Sequence, residues 1–250
     1  MNTGNSGAPA IHLDNICVEF AGRFLFDKLS LDISAGKCTC ILGPSGCGKS
    51  TLLGLISGNP GIHYRGTISI FPTTQSVGWM SQSDLLLPWL NLHENVMLGA
   101  RLRGEVNEKI QDKAKELLEY AGLTAYRKSL PVTLSGGMRQ RGALLRTLME
   151  ERGLLLMDEP FSALDALTRL KLQDLTAEMT RGKTVLLVTH DPLEALRLGD
   201  EIVVFSGTPA TAEKIDGLHG EVPRQLSDPG MASLHSGLLA KLMNEQHETL

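Results

Sequence analysis

The sequence predicts an α/β fold interrupted by one helical insert, and three observations carry that expectation. Short apolar runs of strand length, at 38–42, 154–157 and 185–189, recur with helix-patterned stretches between them. From about Asp84 to Glu151 the chain is helical in character. A glycine-rich turn closes the first of these apolar runs and leads straight into a helix.

Residues 16–20 and 29–33 alternate apolar and polar side chains, the pattern of half-buried antiparallel strands. The run 38–42 is continuously apolar and ends at Gly43, as expected of a fully buried central strand, and 51–56 reads as helix. Two short strands follow at 67–71 and 77–80, separated by a turn at Pro72. In the insert, Val106, Ile110, Ala114, Leu117, Leu118 and Ala121 repeat at helical spacing with Gly122 as the stop. A second insert helix runs to about Met149, capped by Ser135. Beyond it come the strand 154–157, a helix over about 166–180, the strand 185–189, a strand at 202–205 and a short amphipathic helix near 234–243.

With 250 residues the chain is long enough for one large or two modest domains. Its net charge of -4 argues against a dedicated nucleic-acid binder, which normally carries a basic excess. No apolar run reaches the roughly 18–20 residues that cross a bilayer. Residues 1–9 lack the order of a signal peptide and read as a flexible lead-in, so any membrane role is expected through a partner. Cys17, Cys38, Cys40 and Cys47 have neither zinc spacing nor a C-x-x-C pair, and read as small buried hydrophobes.

Gly43-Pro44-Ser45-Gly46-Cys47-Gly48-Lys49-Ser50 matches G-x-x-x-x-G-K-[ST] between a strand and a helix that begins near Thr51. The glycines let several backbone N–H groups converge on phosphate oxygens, and the helix N-terminus adds favourable partial charge. Lys49 is expected to reach the β- and γ-phosphates of ATP and the Ser50 hydroxyl to ligate Mg²⁺. The strand 154–157 ends in Asp158 and Glu159. Set beside the phosphate-loop strand, it would carry Asp158 to the magnesium and place Glu159 to polarise the attacking water.

Leu134-Ser135-Gly136-Gly137-Met138-Arg139-Gln140-Arg141 decides the family. It resembles the signature motif of ABC ATPases, standing roughly ninety residues after the phosphate loop and about twenty before the acidic strand. Gln82 resembles the Q-loop glutamine, Ser162-Ala163-Leu164-Asp165 the D-loop, and His190 the switch histidine; the likeness spans about 11–207. Met138 departs from the commoner glutamine.

The resemblance implies a P-loop NTPase ABC cassette: a RecA-like core, an antiparallel β subdomain and a helical subdomain insert. The implied division is 11–81 with 152–206 as the nucleotide-binding core, 82–151 as the helical subdomain, 207–250 as a short extension and 1–10 as a flexible lead-in. It implies Gln82, Glu159 and His190 as catalytic residues, and Ser50, Gln82 and Asp158 around Mg²⁺. It also implies a head-to-tail dimer in which Ser135, Gly136 and Gly137 of one copy meet the ATP held by residues 43–51 of the other. A serine hydroxyl and two N–H groups at a helix start form such an anion site. Phe20 aligns with the aromatic that stacks on adenine; core packing beside Ile16 and Val18 is a rival reading, and Phe24 the alternative.

The segment Ser83-Asp84-Leu85-Leu86-Leu87-Pro88-Trp89-Leu90 falls where importer cassettes receive the coupling helix of a permease. Its apolar side chains would either dock that partner or anchor the insert to the core. Its wording, with 99–104 and 189–197, is similar to the nitrate, sulfonate and taurine importer group, nearest the hydroxymethylpyrimidine branch. That implies transmembrane permease subunits, an indirect solute-binding protein, no nucleic acid, and a peripheral place on the cytoplasmic side of the cell membrane. A soluble ABC ATPase acting on DNA or ribosomes would bring long coiled coils or a second cassette, neither of which is present. An exporter subunit remains the alternative.

Overall fold

The computed structural model describes residues 10–72, 76–216 and 219–247. In chain order the elements are β1 (Ala10–Phe20), β2 (Arg23–Ile33), β3 (Cys38–Leu42), α1 (Lys49–Ile56), β4 (Arg65–Phe71), β5 (Val77–Met80), α2 (Leu92–Val96) and α3 (Leu98–Leu102). They continue with α4 (Glu108–Tyr120), α5 (Gly136–Met149), β6 (Leu154–Asp158), α6 (Ala166–Thr180), β7 (Thr184–Val188), α7 (Pro192–Leu198), β8 (Glu201–Ser206), β9 (Thr211–Ile215) and α8 (Met231–His247). The lead-in expected over 1–10 falls outside the described residues except for Ala10, which already belongs to β1.

Two sheets organise the chain. β2, β1 and β4 form a three-stranded antiparallel sheet in the order β2-β1-β4, with Leu13 opposite Leu31 and Ile16 opposite Leu29. The second sheet has six strands in the order β5-β6-β7-β3-β8-β9, all parallel up to β8, with β9 antiparallel at the edge. The central strands are buried on both faces, which is why they read as unbroken apolar runs. Alternate residues serve two cores. Leu154 and Leu156 of β6, Ile41 of β3 and Phe205 of β8 pack with the antiparallel sheet and α1. Leu155 and Met157, with Cys40, Leu42 and Val204, pack with α5, α6 and α7.

The structure corrects several expectations. β6 is not beside the phosphate-loop strand: β3 pairs with β7 and β8, and β7 separates it from β6. Sequence does not report strand order, so the acidic pair reaches the phosphate loop across one intervening strand. Val106 precedes the α4 cap residue Asn107 and is exposed, whereas Ala114, Leu117, Leu118 and Ala121 are buried as expected. Gly122 ends the helix at φ +67. The helix α7 and the edge strand β9 carry too little periodicity to be read, and α8 is longer than the amphipathic stretch that announces it. Through β9 the six-stranded sheet continues beyond residue 206. Of the cysteines, Cys40 and Cys47 are buried but Cys17 and Cys38 are half-buried, and all four are free thiols.

Among the described residues no helix is long and apolar enough to cross a membrane.

Candidate functional site

Parallel strands deliver their C-terminal ends to one edge of the sheet, where open α/β sheets bind ligands. That edge here gathers the phosphate loop after β3, Gln82 after β5, Asp158 and Glu159 at the end of β6, and His190 after β7. A cleft of about 220 Å³ is lined by Ser45, Gly46, Gly48, Lys49, Ser50, Thr51, Gln82, Asp158 and Glu159. Residues separated by more than a hundred positions in sequence thus share one wall.

The loop is shaped by what lies beneath it. Gly48 sits at φ +101, and a Cβ there would stand 2.7 Å from the Phe26 ring. At Gly43 a Cβ would meet the Phe205 carbonyl at 2.6 Å. Phe26 and Phe205 themselves pack edge to face at 6.0 Å. Gly43 and Gly48 therefore leave no room for a side chain, against the Phe205 backbone and the Phe26 ring respectively. No side chain caps α1, which leaves its first N–H groups free to meet an anion.

Lys49 is buried, and its ammonium donates to the carbonyls of Gly43 and Pro44 at 2.7 Å each, with Cys47 Sγ at 3.9 Å. Gly43, Pro44 and Cys47 thus stand behind the cleft as the lysine's cradle. Burial raises the Cys47 thiol pKa against the opposing charge of Lys49. Burial also raises the Asp158 carboxyl above its ordinary value, with the Ser50 hydrogen bond and Lys49 opposing and Glu159 adding to the rise. Asp158, Ser50 and Gln82 offer the hard oxygen donors that Mg²⁺ prefers, so the residues present fit that ion.

Glu159 adopts φ +49, an uncommon conformation for a non-glycine residue, and its N–H donates to the Val188 carbonyl at 2.9 Å. Its Oε1 lies 3.2 Å from Nδ1 of His190. The structure therefore joins two of the expected catalytic residues directly, and the third, Gln82, shares the cleft with Glu159.

Gln140 holds this arrangement from behind, and sequence reasoning gave it no role. Its amide donates to the Glu159 carbonyl at 2.9 Å and to Ser162 Oγ at 3.0 Å, and accepts from the Ala163 N–H at 2.7 Å. The readable signal was a polar residue on the buried stripe Gln140, Ala143, Leu144, Thr147 of α5. Gly137 lets α5 approach the same loop: a Cβ there would lie 2.9 Å from the Ala163 carbonyl.

Other expected residues stand apart from the cleft. Ser135 caps α5 by accepting the Met138 N–H at 3.3 Å, and Ser135 and Gly136 are exposed; neither they nor Gly137 line the cleft of their own chain. Phe20 is 49% exposed and also lies off the cleft lining. The core-packing reading of Phe20 fails: Ile16 and Val18 are buried, but Phe20, the last residue of β1, is exposed. Leu85 and Trp89 are exposed, whereas Leu86 is buried in the core. Two roomier cavities, of about 460 and 490 Å³, contain none of the expected residues.

Behind His190, at the start of α7, lies Glu194, 5% exposed. Burial pushes its carboxyl up to about 7, with the Thr189 hydrogen bond opposing and the charge of Asp191 adding. The folded state therefore holds this proton more tightly than the unfolded chain, whose carboxyl keeps a value near 4.5. The sign follows: this contribution favours folding fully below about 4.5 and is lost as pH rises through about 7. Urea unfolding at several pH values in this window is expected to show a downward slope that Glu194→Gln flattens; equal slopes would contradict the assignment.

The profile of the family described as "ABC transporter" matches residues 26–162. A Haemophilus influenzae protein described as an uncharacterized ABC transporter ATP-binding protein is 40% identical over 242 residues, covering 94% of this chain and 100% of the relative. A Streptomyces avermitilis protein described as aliphatic sulfonates import ATP-binding protein SsuB 1 is 40% identical over 240 residues, covering 95% and 88%. Among solved structures, the ATP-binding cassette MJ0796, dimeric in a post-hydrolysis state with ADP and Pi, superposes with a TM-score of 0.71 at 28% identity, covering 84% of this chain and 100% of that one.

Proposed function

The chain belongs to the ABC transporter family and is an ATP-binding and ATP-hydrolysing cassette, and from that premise we propose that it powers import of a small organic solute through a partner permease. The solute class we infer is that of the nitrate, sulfonate and taurine importers, with the hydroxymethylpyrimidine branch as the finer assignment. The 40% identity to an aliphatic sulfonates import protein supports the class. The branch rests on the wording of 82–90, 99–104 and 189–197. A panel of taurine, an alkanesulfonate, nitrate and hydroxymethylpyrimidine against the associated solute-binding protein tests both. Binding of none of these sinks the solute class.

One observation carries the mechanism. The phosphate loop, Asp158 and Glu159 share a cleft, while Ser135 and Gly136 sit exposed on the same chain away from it. Each chain thus offers two half-sites, which a head-to-tail pair of identical chains completes. MJ0796 assembles as a dimer, which supports this reading. Lys49 and the loop N–H groups hold the β- and γ-phosphates, Phe20 stacks on adenine, and Ser135, Gly136 and Gly137 reach the γ-phosphate of the partner's ATP. Ser50, Asp158 and Gln82 would hold Mg²⁺, which when bound neutralises charge on the β- and γ-oxygens. Glu159 accepts a proton from the water that attacks the γ-phosphorus, and His190, 3.2 Å away, orients that carboxylate against the γ-phosphate.

Leu85 and Trp89 expose apolar surface beside Pro88, and we assign this patch to the permease. The cassette would then lie against the cytoplasmic side of the membrane, with 82–151 as the helical subdomain and 11–81 with 152–215 as its nucleotide-binding base. Ser135→Arg is expected to leave ATP binding to the monomer intact, because Ser135 is outside the cleft, and to abolish the rise of specific ATPase rate with protein concentration. Unchanged concentration-dependent turnover in this variant would refute the shared-site reading.

A further inference from the structure

We propose that Glu194 is a positioning residue for ATP hydrolysis: through Thr189 it clamps the backbone on both sides of His190, and its protonation sets how firmly His190 is held against Glu159. This rests on the assignment of Glu159 and His190 to the hydrolytic step.

The clamp is built from a few groups. Thr189 is 1% exposed, and its N–H donates to the Ile41 carbonyl at 3.1 Å. Its hydroxyl bonds to a Glu194 carboxyl oxygen and also accepts the Asp191 N–H at 3.1 Å. Asp191 in turn caps α7, its Oδ1 accepting the N–H of Leu193 at 2.9 Å and that of Glu194 at 3.4 Å. His190 is thus one residue suspended between two pinned neighbours, with Glu194 bonded to both. Its ring then meets Glu159 at 3.2 Å. Glu159 and His190 share with Glu194 the walls of one small void of about 30 Å³, so the buried carboxyl lies directly behind the reacting pair.

Protonation changes the clamp in a definite sense. With Glu194 ionised, Thr189 donates to a carboxylate, and charge-assisted bonds are about twice as strong as neutral ones. With Glu194 protonated, Thr189 either donates to a neutral carboxyl oxygen or accepts the acid hydrogen, and in both arrangements the charge assistance is lost. Burial pushes the Glu194 carboxyl up to about 7, so this change falls inside the pH range of the test below. The charged and titratable groups around Glu194 are Arg169 and, beyond Gln173, Asp174 on α6, Asp191 and Arg197 at α7, Cys40 on β3, and His190 and Glu159 across the void. Gln173 donates to Glu194 only at 3.5 Å and its oxygen accepts from Arg197 Nε at 3.1 Å, so Thr189 is the near partner.

The test is the pH profile of kcat for the purified full chain, from about pH 5.5 to about 8.5, with ATP affinity measured alongside. The wild type is expected to show a several-fold rise of kcat with a midpoint near neutrality. Glu194→Gln holds the neutral form and is expected to stay at the acid-limb rate across the range, with ATP affinity within about twofold of wild type. Thr189→Val is expected to flatten the rise in the same way, while Thr189→Ser, which keeps the hydroxyl, preserves it. A rise that survives both Glu194→Gln and Thr189→Val belongs to another group and overturns the proposal. Equal loss of kcat and ATP affinity at every pH also overturns it, since that marks a merely structural role. If Glu194→Gln fails to fold, the Thr189 pair decides. Glu159→Gln run in parallel separates the two readings: full turnover there removes the hydrolytic assignment itself, whereas an unaltered Glu194→Gln profile removes only the clamp.

Discussion

Replacing Glu159 with Gln is expected to lower kcat by about 10²–10⁴-fold while ATP binding stays near the wild-type level. The amide has the shape of the carboxylate but accepts no proton from the attacking water. The surrounding scaffold should survive, because its ties to Glu159, apart from the His190 contact, are made by the backbone: the N–H to Val188 at 2.9 Å and the carbonyl to Gln140 at 2.9 Å. The unusual φ of +49 is likewise a backbone property and is shared by the variant. Bound ATP that is not cleaved should trap two copies together, so the variant with ATP is expected to elute at twice the monomer mass. Turnover at the wild-type rate would remove Glu159 from the role of base.

Lys49→Ala should act differently, because it removes binding as well as chemistry. The ammonium is buried and donates to two loop carbonyls at 2.7 Å, so it holds the loop in addition to its proposed phosphate role. Truncation leaves those carbonyls without their donor and removes one proposed cation from the triphosphate. Each hydrogen bond to a charged group contributes about 1.5–3 kcal/mol, so the loss of ATP affinity should be roughly 10²-fold. Equilibrium binding of a fluorescent ATP analogue distinguishes the two variants: tight binding without turnover for Glu159→Gln, weak binding for Lys49→Ala. Tight binding by a folded Lys49→Ala protein would contradict the phosphate role of this lysine.

Much of the site was legible because its chemistry is local in sequence. The phosphate loop needs glycines at fixed offsets, a lysine and a hydroxyl, and these fall within eight consecutive positions. The central strands were legible because burial on both faces demands unbroken apolar runs. The cap at Ser135 was legible because a serine before a helical pattern has a specific job. Gln140 was not given its part, since a helical glutamine reads as polar surface until its neighbours are known. Glu194 was missed for the same reason: nothing in its local pattern reveals that Thr189 and α6 enclose it.

By itself the sequence determined the order of motifs, the helix and strand character of the main elements, and the residue types proposed to meet phosphate and metal. These follow from backbone preferences and periodicities that act over a few residues. Only the tertiary structure decided that β7 lies between β3 and β6, that Phe20 ends exposed, and that Gln140 and Glu194 stand behind Glu159 and His190. Strand order and burial depend on how distant segments pack, and a side chain's partner across the core leaves no mark on the residues beside it in the chain.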